Sequence, residues 1–203
     1  MRIIAGTYRS RRLEAPPGLD TRPTSDRLRE TLFNVLASRI RGARFLDLYA
    51  GSGAVGLEAL SREAANATFV ERAPAALKML RRNLEQLGIQ IGYEVRAESV
   101  AAFLRAATKK APKPGLHEVV FLDPPYDAMQ EYAVTLGLLG GAQRGVLAPG
   151  ALVVAEHRRN QALDEQYGCL KRMRLLKQGD AALSFYEADS TLPDRALTHP
   201  HLA

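Results

Sequence analysis

Between residues 44 and 156 five short apolar runs alternate with four stretches of helical spacing. The runs cover 45–48, 67–71, 91–95, 118–122 and 151–156, and the spacing predicts helices over 54–60, 75–87, 100–108 and 128–139. Near-continuous apolar strands separated by amphipathic helices fit only a few architectures. A mostly parallel sheet covered on both faces satisfies every run at once. After this region, 170–176 and 182–187 read as two strands joined around Gln178-Gly179-Asp180, a terminal antiparallel hairpin.

The ends of the chain follow other patterns. Residues 2–22 read as a β-rich arm, with one strand over 3–8 and a partner over 11–14, broken by Pro16-Pro17-Gly18. Such an arm buries too little to fold alone and must lean on the main domain or its substrate. A helix starts near Thr24-Ser25-Asp26, with Leu28, Leu32, Val35, Leu36 and Ile40 on one face. The expected organisation is a β arm over 1–22, an α/β domain over 23–188 and a loose tail over 189–203.

Two motifs sit at strand ends. Asp47-Leu48-Tyr49-Ala50-Gly51-Ser52-Gly53 follows the first apolar run and continues as Gly51-x-Gly53-x-x-Gly56 into a helix. That pattern suits a nicotinamide or flavin cofactor as well as S-adenosylmethionine. A carboxylate at Asp47 would repel a pyrophosphate, but it suits the ammonium of a methionine moiety. Glu71, with Arg72 beside it, ends the second run where two ribose hydroxyls would lie. After the third run, Glu98 or Ser99 would lie beside adenine.

Asp123-Pro124-Pro125-Tyr126 ends the fourth run. The Asp123 carboxylate and the Pro124 carbonyl can accept the two N–H groups of a planar exocyclic amine. The prolines stiffen the slot and donate no competing N–H. Tyr126 supplies a stacking surface, worth on the order of 1–3 kcal/mol per base. A base inside a stack could not enter, so the target nucleotide is unpaired or flipped out. The four histidines show no ligand spacing, so no metal is expected.

Charge points the same way. The net charge is +6, and the first 44 residues hold ten arginines against four carboxylates. Arg2, Arg9, Arg11 and Arg12 in the arm, with Arg22, Arg27 and Arg29 further on, suit phosphate contacts. Cys169, the single cysteine, excludes an internal disulfide and reads as inert packing in a reducing cytosol. No stretch approaches a membrane span, so the expected location is the cytoplasm.

From Arg2 to about Glu187 the chain resembles the bacterial RsmD family, the guanine-N2 methyltransferases of 16S ribosomal RNA. The matching residues are the opening Arg2-Ile3-Ile4-Ala5-Gly6, the segment from Arg22-Pro23-Thr24-Ser25-Asp26-Arg27 to Asn34, the loop from Asp47 to Leu60, Phe69-Val70-Glu71, and Phe121 to Tyr126. The segment around Arg22 is the most family-specific; the other motifs are shared by many amino-methyltransferases. The resemblance implies a Rossmann-like class I methyltransferase fold with a mostly parallel seven-stranded sheet and a small N-terminal β-hairpin. It implies S-adenosylmethionine held by Asp47, Gly51, Gly53 and Glu71, and a guanine held by Asp123 to Tyr126. The acceptor would be N2 of the nucleotide numbered 966 in the family, presented by the 30S subunit or an assembly intermediate to a monomeric enzyme. Arg22, Thr24 and Arg27 fall on the family's substrate-side segment. An adenine-N6 or cytosine-N4 methyltransferase, a non-catalytic rRNA-binding assembly factor and a nicotinamide oxidoreductase are the competing readings.

Overall fold

The structure, a computed structural model, describes residues 1–15, 26–108, 116–125, 128–141 and 145–189. Five parallel strands, β1 (Arg44–Leu48), β2 (Asn66–Val70), β3 (Tyr93–Arg96), β4 (His117–Leu122) and β5 (Leu147–Arg158), form one side of the sheet. They are extended by β6 (Gln166–Tyr167), β7 (Leu170–Gln178) and β8 (Ala181–Ala188). The order is β3-β2-β1-β4-β5-β8-β7-β6, with β8 antiparallel to both β5 and β7. The sheet therefore has eight strands where seven were expected, because two residues before Gly168 pair with the start of β7.

The parallel half follows from the sequence pattern. β1, β2 and β4 are buried along nearly their whole length, and helices cover both faces. On one face lie α1 (Asp26–Val35), α2 (Ala37–Ile40), α3 (Ala54–Ser61) and α4 (Pro74–Leu87). On the other lie α5 (Val100–Thr108) and α6 (Met129–Gly140). The single helix expected from residue 24 onward breaks at Leu36 into two, though Leu28, Leu32, Leu36 and Ile40 share the buried face as predicted. α4 ends at Gly88, whose φ of +72° is the left-handed C-terminal geometry that glycine allows. The third strand is later than expected, and Ile91 stands exposed before it.

The arm is shorter in β structure than predicted. One antiparallel bridge joins Arg2 to Arg12, closed by hydrogen bonds from Ile3 N to Arg11 O and from Ser10 N to Ile3 O. Leu13 N donates to the Met1 carbonyl, and several of the arm's other backbone groups bond to α3. The Glu58 carboxylate, fully buried, accepts from Ile4 N at 2.7 Å and Ala5 N at 3.0 Å. Thr7 N and Tyr8 N donate to the Ser61 carbonyl and hydroxyl. Ile3 and Leu13 belong to the main core. Nearly all of α3 is therefore buried, between the sheet below and the arm above.

Arg29 completes this joint. It is fully buried, donates to the Arg2 carbonyl and to Asp26, and lies 3.7 Å from Glu58. Burial lowers its pKa, and the charges of Glu58 and Asp26 oppose that shift. Arg62, stacked over Phe33, adds a 2.7 Å pair to Glu58. Removing one partner of a buried ion pair costs about 3–5 kcal/mol, because the other charge stays desolvated. Glu58→Gln is expected to lower unfolding free energy by about 3 kcal/mol, read by urea denaturation, and to expose the arm to proteolysis first.

Candidate functional site

β1 is the centre of the site. It pairs with β2 on one side and β4 on the other, so chain connections leave it in opposite directions. A parallel sheet opens a crevice at the carboxyl ends of strands where this reversal occurs. Leu48 is level with Leu122 in the β1–β4 register. The loop beginning at Tyr49 and the turn beginning at Asp123 therefore emerge side by side, about one inter-strand spacing of 4.8 Å apart.

The loop after β1 is held from several directions. Tyr49 has a φ of +63°, uncommon for a residue with a side chain, and Gly51 and Gly53 have +56° and +81°. The Tyr49 hydroxyl donates to Glu131 Oε2 and shares a hydrogen bond with Thr135 Oγ1, each at 2.7 Å. Burial raises the pKa of that hydroxyl. Tyr49 thus ties the loop to α6, the helix that follows the Asp123 turn. On the opposite side, Asn83 Nδ2 donates to the Ser52 carbonyl at 2.9 Å and to the Glu14 carbonyl at 3.2 Å, and Asn83 Oδ1 accepts from Glu14 N. The arm and the loop thus share one anchor on α4. Ala50 N donates to the Val70 carbonyl.

The two glycines that enter α3 are required by packing as well. A Cβ at Gly53 would sit 2.3 Å from Leu80 Cδ1, and one at Gly56 would sit 2.3 Å from Phe69 Cε1 and 3.0 Å from Asp47 Oδ2. Asp47 is buried, and its Oδ2 accepts from Gly56 N at 2.8 Å. Burial pushes its carboxyl up to about 7, helped by the nearby charge of Glu71 and opposed by the Gly56 hydrogen bond. Asp47 is thus a desolvated carboxyl group beneath the loop, a place that favours a cationic guest.

Glu71 lies one residue past β2. Its Oε2 accepts from Gly51 N at 2.9 Å; its Oε1 accepts from Arg72 N and Ala73 N at 2.8 and 2.7 Å. A carboxylate offers about four acceptor positions, so this one is largely engaged in pinning the loop and the entry to α4. The Arg72 side chain is exposed. Of the two candidates after β3, Ser99 caps α5: its hydroxyl accepts from Ala102 N and its carbonyl from Phe103 N. Glu98 is half-buried, with Arg96 Nε 3.9 Å away.

Asp123 is half-buried, Pro124 buried and Pro125 exposed, with the Pro125 carbonyl accepting from Ala128 N. Tyr126 lies outside the described residues. The Asp123 carboxyl is pushed well above the usual range, first by burial, then by the negative charges of Glu156 and Asp47. Glu156 escaped the sequence reading. It ends the apolar run of β5 and is level with Asp123, because Leu122 pairs with Ala155. An acidic residue closing an apolar strand was the signal already used for Asp47, Glu71 and Asp123. Glu131, Thr135 and Asn83 carried no comparable signal, since their partners lie far away in sequence. Among the described residues, no group of three or more His, Cys, Asp and Glu is placed to hold a metal ion.

The arginines divide. Arg22 and Thr24 lie outside the described residues. Arg9 follows Thr7 and Tyr8, which bond to Ser61 at the C-terminal end of α3, and Arg11 Nη2 donates to the Gln86 carbonyl, about one turn of α4 beyond Asn83. Arg2 is exposed, with Asp26 3.8 Å away, while Arg12 and Arg27 are exposed. The structure thus gathers the carboxyl groups and the glycine loop in one crevice and leaves most of the arm's cations outside it.

A sheet of this order, with its last strands reversed and its crevice beside β1, is the Rossmann-like fold of class I S-adenosylmethionine-dependent methyltransferases. The solved structure of yhhF from Escherichia coli superposes with a TM-score of 0.80 at 37% identity, covering 94% of this chain and 99% of that one. An RNA methyltransferase from Salinibacter ruber, solved with S-adenosyl-L-homocysteine, shares the fold at a TM-score of 0.59 and 17% identity, covering 87% of this chain and 99% of its own. The chain belongs to the family described as Conserved hypothetical protein 95, which matches residues 1–187. It is 44% identical over 158 residues to the Ribosomal RNA small subunit methyltransferase D of Escherichia coli, spanning 77% of this chain and 74% of that one.

The Asp47 carboxyl gives a pH test of the geometry. Below pH 3.8 it is protonated both folded and unfolded. Between there and about 7 the unfolded chain ionises first, so this group's stabilisation falls as pH rises. Unfolding free energy of the ligand-free protein is expected to decline across that window. Asp47→Asn should make the decline shallower, as urea titrations at about pH 5 and about pH 8 would read.

Proposed function

We propose that this protein transfers a methyl group from S-adenosylmethionine to the exocyclic N2 of a guanine in 16S ribosomal RNA, the nucleotide numbered 966 in the family. The observation that carries the reading is the adjacency of the Asp47–Gly53 loop and the Asp123 turn across the β1–β4 pair. Relatives named for small-subunit rRNA methylation support the substrate, and the net positive charge agrees with it.

The residues fit the cofactor. The buried Asp47 carboxyl is suited to an ammonium, directly or through water. The turn at Gly51 and Gly53 lets the backbone pass beneath a compact amino-acid moiety. Glu71, engaged with Gly51 N, would exchange or share that bond with a ribose hydroxyl. Glu98 would face the adenine. When bound, S-adenosylmethionine supplies an electrophilic methyl: its S–CH3 bond breaks, with both electrons left on sulfur, as the N–C bond forms.

The chain orients the amine for that displacement. An exocyclic N2 is a weak nucleophile, since its lone pair is delocalised into the purine ring. The Asp123 carboxylate and the Pro124 carbonyl accept its two N–H bonds and aim the lone pair at the incoming carbon. Positive charge developing on nitrogen is stabilised by the same acceptors. After transfer the nitrogen sheds a proton, and Asp123, whose pKa is raised by burial and by Glu156, is placed to take it. Tyr126 would stack on the base.

Radiolabelled methyl transfer is expected to 30S particles lacking the modification, and not to DNA. Asp123→Ala should cut turnover about 100-fold or more while leaving rRNA affinity within a factor of about two. Modification of DNA alone would defeat the reading. Binding of S-adenosylmethionine at about pH 7 should release protons, because a cation beside Asp47 favours its ionised form. Calorimetry in buffers of different ionisation enthalpy reads this, and Asp47→Asn should lessen the release.

A further inference from the structure

Besides Arg72 and Arg96 at the ends of β2 and β3, the carboxyl end of the sheet carries cations from the end of β5 and from the C-terminal hairpin. β5 runs parallel to β4, and Glu156 is level with Asp123. Arg158 and Arg159 follow two and three residues later, about 7–10 Å further along at 3.3 Å per residue. Arg158, Ala181 and Gln178 lie level across β5, β8 and β7, so the β7–β8 turn projects from the same end of the sheet as the crevice. Lys177, next to Gln178, stands at that end too.

The turn is built to hold this cluster in place. Gly179 takes a φ of +59°, and Arg159 N donates to the Asp180 carbonyl at 2.7 Å. Arg158, Arg159 and Lys177 are all exposed, and Asp180 is the one carboxylate within the turn itself. Among the described residues no carboxylate lies within ion-pair distance of Arg159 or Lys177. By contrast, Arg9 follows the residues bonded to Ser61 at the opposite end of α3, and Arg29 is consumed inside the core. α3 alone spans about 12 Å between those ends at 1.5 Å per residue.

We propose that Arg158, Arg159 and Lys177 at the β5 end and the β7–β8 turn bind the phosphodiester backbone of the RNA strand whose base enters the Asp123 slot. This rests on the reading of the substrate as RNA. β7 is three strands from β4, about 14 Å at the usual spacing. A strand delivering its base beside β4 therefore brings its flanking phosphates across the hairpin. Arginine forks and a lysine are the groups that hold phosphate without reading sequence. The surface thus positions the target nucleotide, and the slot chooses it.

The test uses the full chain carrying Arg159→Glu and Lys177→Glu together, with Arg9→Glu and Arg11→Glu together as the comparison. Binding to 30S particles lacking the modification is measured by filter retention across a salt series. The hairpin variant is expected to bind at least about tenfold more weakly at about 0.15 M salt, with a salt slope shallower by about two. Its S-adenosylmethionine affinity and melting temperature should match those of the unchanged protein, and the arm variant should lose less. Unchanged affinity in the hairpin variant while the parent protein binds would overturn this surface alone. So would unchanged RNA affinity with new self-association, which would make these charges guards of the β7 edge. A parent protein that binds no 30S particle removes this surface and the substrate reading together.

Discussion

The pairing of β1 with β2 on one side and β4 on the other is the constraint on which the rest depends. Because successive connections depart in opposite directions from β1, a crevice opens at its carboxyl end. The glycine loop and the Asp123 turn both open into that gap. Their separation is set by backbone hydrogen bonding between two buried strands, which is among the least adjustable distances in a protein. The chemistry inherits its geometry from the ladder, not from the loops.

Carboxyl groups converge there at an electrostatic cost. Burial raises the pKa of both Asp47 and Asp123; Glu71 adds to the effect on Asp47, and Glu156 and Asp47 add to the effect on Asp123. Such a cluster is poorly solvated without a guest and welcomes positive charge. In the proposed reaction the crevice takes a sulfonium and an ammonium and then meets a developing positive charge on nitrogen, and that imbalance would serve all three. The ligand-free protein stores the imbalance as raised pKa values.

The N-terminal arm belongs to the same mechanical unit. Glu58 accepts its backbone N–H groups while balancing Arg29 and Arg62. Asn83 then carries the connection on to Ser52 in the glycine loop. Arm, α3, α4 and loop are thereby tied through two buried polar side chains. Arg9 follows residues bonded to the C-terminal end of α3, while the end of β5 and the C-terminal hairpin add exposed cations at the carboxyl end of the sheet.

Strand positions, the helices between them, the glycine turn and the placing of Asp47 and Asp123 at strand ends were legible in the sequence, because each rests on periodicity or on a motif a few residues long. The mostly parallel sheet and the terminal hairpin followed from the same local signals. What only the tertiary structure decided was the fate of individual polar side chains. Arg29 read as a phosphate-seeking cation and became a buried strut; Ser99, offered with Glu98 as the neighbour of adenine, also caps a helix; Glu71 came to hold three backbone amides. Burial and partner choice for such groups depend on residues such as Glu58 and Arg2, tens of positions away in the chain. Local patterns therefore specify the elements, while desolvation and long-range hydrogen bonding settle which charges support the fold and which remain to meet a substrate.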